Sequence, residues 1–130
     1  MQNPRSCAGG TRVDVDFAND ANKKFVSAFV AKHNRMPTYY ASQSYDTALA
    51  IGAALKQTKG DLNAAAFRTA MLKADFASVR GAFKFGPNQH PVQDWYALKV
   101  EKNAAGQPEI KTQRKVLTAH GDVYAAQCKI

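Results

Sequence analysis

Few side chains in this sequence are equipped for chemistry, and their spacing keeps them apart. The histidines are His33, His90 and His120. Sequence-encoded metal sites place their ligands a few residues apart, so no metal and no cofactor is expected. The glutamates are Glu101 and Glu109 alone, both inside a predicted hairpin. There is no His-Glu-x-x-His, no Gly-x-Ser-x-Gly and no glycine-rich phosphate loop. A chain built this way is not expected to be an enzyme, and no catalytic residue is assigned. Cys7 and Cys128 stand near the two ends, without a Cys-x-x-Cys. In an oxidising compartment one bridge between them would join the termini; two unrelated thiols fit the spacing equally well.

The charge balance is +8, from 18 Lys and Arg against 10 Asp and Glu. A basic balance fits nucleic acid, an anionic membrane or an acidic solute. Here the cations are scattered and no run exceeds two, whereas binding along a phosphate backbone calls for clustered cations. No nucleic-acid partner is expected; a small basic nucleic-acid-binding protein stays as the alternative reading. The longest apolar run, Ala48 to Leu55, is far short of the ~20 residues of a membrane-spanning helix. Met1 to Gly10 has no apolar h-region, so it does not read as a signal peptide. Either an export signal is expected on a longer precursor or the protein stays inside the cell.

The elements that must position any site follow from periodicity. Residues 1–18 read as an irregular arm, with a weak strand alternation at Val13, Val15 and Phe17. Residues 19–130 read as one unit. Asp20 is placed to cap a helix to about Asn34, whose stripe is Phe25, Val26, Phe29 and Val30. Met36-Pro37 ends it. Thr38 caps a second helix, with Tyr45, Ala48, Gly52 and Leu55 on one face and Gly60 at its stop. Asp61 caps a third helix to about Ala74. These stripes read first as core. Near Val79 the period changes from 3.6 to 2, predicting strands between about 79 and 117. Asp94–Glu101 and Ile110–Leu117 form a hairpin around the turn residues Asn103–Pro108. The expected fold class is α+β: three helices, then antiparallel strands.

An ordered set of short segments runs through these elements. It comprises Asn22-Lys23-Lys24-Phe25-Val26, Met36-Pro37, Tyr40-Ala41-Ser42-Gln43-Ser44-Tyr45-Asp46, Arg80-Gly81-Ala82-Phe83-Lys84-Phe85, Asn88-Gln89-His90-Pro91 and Tyr124-Ala125-Ala126-Gln127-Cys128. In order and spacing it resembles the C-terminal part of periplasmic solute-binding proteins of the branched-chain amino acid type, which feed ABC importers. The resemblance runs from about Thr11 to Ile130. It implies a piece of a two-lobed α/β periplasmic binding protein of type I, a periplasmic location and an ABC membrane permease as partner. The implied ligand is a small carboxylate-bearing solute, a branched-chain amino acid or an aromatic acid. Carried over, Tyr40, Ser42 and Tyr45 are the candidate ligand-binding residues. A helix N-terminus offers free N–H groups to a carboxylate, and the tyrosines offer apolar contact area. As plain packing they would be half-buried residues with satisfied hydroxyls. Without the first lobe's sheet, the helices' apolar faces lack their usual cover, so a homo-oligomer is expected.

Overall fold

The computed structural model describes Phe17 and residues 19–128. The predicted arm at 1–18, apart from Phe17, and Cys7 with its proposed bridge lie outside the described residues. Three helices come first: α1 (Asp20–His33), α2 (Tyr39–Gln57) and α3 (Ala64–Leu72). A three-stranded antiparallel sheet follows, formed by β1 (Phe83–Phe85), β2 (Pro91–Lys102) and β3 (Pro108–His120) in the order β1-β2-β3. A short 3-10 turn, Ala125–Gln127, comes after the last strand. The α+β expectation holds; β2 and β3 run longer than alternation alone placed them, and β1 starts at Phe83 rather than near Val79.

Local chemistry explains the boundaries. Thr38 caps α2, its Oγ1 accepting from the Ala41 N–H at 3.3 Å. The other two caps differ from expectation. Asn19, one residue before Asp20, caps α1 by accepting from the Ala21 N–H at 2.9 Å. Asn63 rather than Asp61 caps α3, accepting from Ala65 and Ala66, while Asp61 accepts from the Asn63 N–H in the turn before it. α1 stops before Met36-Pro37, at Asn34 in the left-handed conformation (φ 50°); asparagine tolerates that region better than most residues. α2 ends with Lys59 at φ 52° and Gly60 at φ 84°. The Gly60 N–H reaches back to the Leu55 carbonyl at 2.9 Å, closing the last turn.

The buried face of α2 is not its apolar stripe. Ser42, Asp46, Ala50 and Ala54 are buried, whereas Tyr45 and Ile51 are exposed. The apolar core among the described residues is small: Phe25, Ala50, Ala54, Ala70, Val79 and Leu98. As many polar residues are buried: Asn22, Ser42, Asp46, Ser78, Asn88 and Gln93.

The hairpin is stapled by Asp94. Its Oδ1 accepts from the Ala119 N–H at 2.8 Å, and its Oδ2 pairs with the Lys115 ammonium. The Lys115 hydrogen bond, then the Ala119 N–H, hold the Asp94 carboxyl below its ordinary value of 3.8. A carboxylate depressed by folding adds stability above its ordinary pKa and loses it as the pH falls through the folded value. The unfolding midpoint in urea should therefore fall as the pH drops below the ordinary carboxylate range, and Asp94→Asn should flatten that part of the curve. An unchanged slope in the variant would remove Asp94 from the acid response.

Candidate functional site

The start of α2 carries the residues singled out by sequence. Tyr40 is 76% exposed and makes an edge contact with Tyr39 at 5.8 Å. The Tyr39 hydroxyl accepts from Gln43 Nε2 at 2.8 Å. Tyr45 is 43% exposed, and its ring lies 4.7 Å from that of Phe25 on α1. Ser42 is fully buried, and its hydroxyl donates to the Tyr39 carbonyl at 2.6 Å. At 3.6 residues per turn, Tyr40 stands about 160° from Ser42 and about 140° from Tyr45 around the helix. The three therefore do not converge on one point. Tyr40 and Tyr45 meet solvent on separate sides, and Ser42 faces inward.

The helix start still has a defined chemistry. Thr38 satisfies only one of the first free N–H groups, so α2 keeps a partial positive charge at this end. There is no acidic residue in its first turn to compensate it. An anionic group is favoured there, with the exposed ring of Tyr40 beside it.

Behind this surface lies a network that periodicity did not reveal. Asp46 is 2% exposed. Its Oδ2 accepts from Ser78 Oγ at 2.7 Å and from Arg80 Nε at 2.8 Å, and its Oδ1 accepts from the Val79 N–H at 2.9 Å. The Ser78 hydroxyl in turn accepts from the Arg80 N–H at 3.0 Å, and the Ser78 carbonyl accepts from Asn19 Nδ2 at 2.9 Å. The Arg80 guanidinium also lies 5.6 Å from the centre of the Phe83 ring. A carboxylate with all these donors around it is structural: it ties α2 to the segment entering the sheet. The signal for it was an aspartate one turn from a buried serine, on the same side as two alanines.

Two open grooves lie elsewhere. One, of about 450 Å³, runs between the end of α2 and α3 beside Gln57, Thr69 and Lys73. The other, of about 320 Å³, lies between Arg68, Leu72 and the Phe85–Gln89 turn. Neither is lined by Tyr40, Ser42 or Tyr45. Among the described residues no cluster of His, Cys, Asp and Glu is arranged to hold a metal ion. Among them, too, no helix is long and apolar enough to cross a membrane.

The architecture and sequence together define the class. The family model described as periplasmic binding protein matches residues 8–107, and the chain belongs to that family. Its solved neighbours are solute-binding components of ABC transporters. The solute-binding protein of an ABC transporter from R. palustris, solved in complex with benzoate, is 30% identical with a TM-score of 0.79, covering 90% of this chain and 31% of that one. An ABC transporter substrate-binding protein from Sphaerobacter thermophilus, at 23% identity and a TM-score of 0.77, shares the fold over 89% of this chain and 32% of its own. The chain thus spans about a third of the length of these solved relatives. No curated protein matches it in sequence. Family membership takes precedence over the nucleic-acid alternative raised by the charge, and the family is one of binding proteins.

Proposed function

We propose that this chain contributes to a periplasmic receptor that binds a small carboxylate-bearing solute and delivers it to an ABC membrane permease. Of the two solute classes raised by the sequence, the aromatic carboxylates have the better support, and branched-chain amino acids come second. The observation carrying this is the R. palustris relative, which holds benzoate and matches 90% of the chain. The start of α2 has the matching chemistry: uncompensated N–H groups for a carboxylate and the exposed Tyr40 ring for an aromatic body. In this reading Tyr40 contacts the solute, Ser42 fixes the backbone of the turn that carries it, and Tyr45, on another side of the helix, packs on Phe25.

A cleft between two lobes needs groups from both, and this chain spans about a third of its solved relatives. Its own affinity is therefore expected to be weak, with a Kd above about 1 mM. Two-dimensional NMR with benzoate and with leucine at millimolar concentrations tests this. Benzoate should shift the resonances of residues 38–46 more than leucine does, and Tyr40→Ala should abolish the effect. Equal or absent shifts in that segment would sink the assignment. Micromolar binding by calorimetry would show that the chain needs no further groups.

The proposal includes association with a second copy of this chain. Eleven large apolar side chains are exposed among the described residues, against six buried apolar residues of which three are alanines. Where such side chains adjoin one another, their surface favours association.

A further inference from the structure

Resting on the reading of this chain as part of a receptor, but not on its choice of solute, we infer that the outward face of α2 is an internal joint. It seats the remaining two-thirds of a receptor chain of this family, through a partner surface that is apolar and uncharged.

Charge is missing from this face. The chain carries +8, and α1 shows a water-facing helix in the same molecule: its Lys23, Lys24 and Lys32 are all exposed. From Tyr39 to Leu55 the one charged residue of α2 is Asp46, and it is buried against Arg80. Ser42, Asp46, Ala50 and Ala54 face inward. At about 100° per residue, Ser44, Thr47, Ala48, Ile51, Gly52 and Leu55 share an arc of about 140° on the other side. All of them are exposed except the half-buried Leu55. A helix at the surface keeps charged and polar residues on its outer face, whereas one that lacks them all round belongs in an interior. The Thr47 hydroxyl already donates to the Gln43 carbonyl at 2.9 Å, so covering it strands no donor.

Gly52 sits in the middle of this face and of the helix, where glycine is less stable than alanine. A β-carbon added to it would meet nothing within 4 Å. No described neighbour therefore calls for a glycine. A missing side chain there lets another element come close to the backbone of α2.

The occupant follows from the length of chain outside this structure. The R. palustris relative shares the fold over 90% of this chain with a TM-score of 0.79, and that match is 31% of its own length. The same elements exist there beside about twice as much further chain. Tyr40 falls within the same arc of α2. An element seated on the face therefore reaches the ring proposed to contact the solute, and can bring the other half of a solute site to it.

The test compares two settings: the full 130-residue chain alone, and the R. palustris relative with this chain in place of its matching third. Gly52→Leu should raise the melting temperature of the chain alone, because it puts a helix former into open space. It should lower that of the graft, because it fills room kept for the partner. Ile51→Lys should change the chain alone by less than about 3 °C and lower the graft by about 6 °C or more. Lys24→Ala, on the charged side of α1, is the control and should move neither. A Gly52→Leu effect of the same sign in both settings would overturn the inference, as would a graft that does not unfold cooperatively. Sedimentation of the chain alone tests the rival occupant: a dimer that Ile51→Lys converts to a 14.2 kDa monomer would give the face to a second copy instead. A graft that shows the expected shifts but binds no benzoate would keep the joint and sink the solute reading.

Discussion

Asp46→Ala is expected to lower the unfolding free energy by about 3–5 kcal/mol, as breaking one side of a buried ion pair generally does. The substitution leaves the Arg80 guanidinium, on a side chain only 11% exposed, without its carboxylate. It also strips acceptors from the Ser78 hydroxyl and the Val79 N–H, both buried. Orphaned donors add their own desolvation cost, about 1–3 kcal/mol each, so these losses overlap rather than sum. A domain of this size has about 5–15 kcal/mol in all, and the alanine variant would sit near the threshold of folding. Asp46→Asn is the milder probe. It keeps an acceptor for Val79 but removes the charge facing Arg80. Urea denaturation of both variants gives the answer. A loss under about 1 kcal/mol for alanine would mean that Arg80 finds water and that the network is dispensable.

Phe25→Ala should cost a similar amount, about 3–5 kcal/mol, for a different reason. Phe25 is the one aromatic side chain buried among the described residues, at 5% exposure. Its ring lies 5.8 Å from Phe29 and 4.7 Å from Tyr45. With so few apolar neighbours, the cavity it leaves has little that can collapse into it. Phe29→Ala is the control, since Phe29 is only half-buried and its loss should cost clearly less. Comparable losses for the two variants would mean that the α1–α2 contact is not centred on Phe25.

Most of the element order was legible because the period of the apolar residues changes once, near Val79, and the structure changes from helix to strand soon after it. Caps were harder. Asn19 and Asp20 are both competent, as are Asp61 and Asn63, and periodicity does not choose between neighbours. In each case asparagine took the cap, with aspartate one position after it at Asp20 and two positions before it at Asp61. The face of α2 was misread for a longer-range reason. Tyr45, Ala48, Gly52 and Leu55 form the more apolar stripe, yet the side carrying Ser42 and Asp46 turns inward. Asp46 is buried because Ser78, Val79 and Arg80 bring it three donors from more than 30 residues away, and no local pattern in α2 records that. The candidate site was legible as a helix start with tyrosines, since Thr38 announces the cap. That Tyr40 and Tyr45 occupy different sides follows from helix geometry and was open to calculation beforehand.

The tie at Asp46 also bears on the order in which the molecule assembles. α2 and α3 are joined by a short turn, and β2 and β3 by the tip 103–107, held by the Asn103 side chain, which accepts from Ala105 and Gln107. Both are local closures. Bringing Ser78 to Asp46 closes a loop of 32 residues, at an entropic cost of about 3 kcal/mol before any contact repays it. Helix pair and hairpin are therefore expected to form early, with Asp46 as the late clasp between them. A variant that loosens the clasp separates the two pieces before it unravels either one.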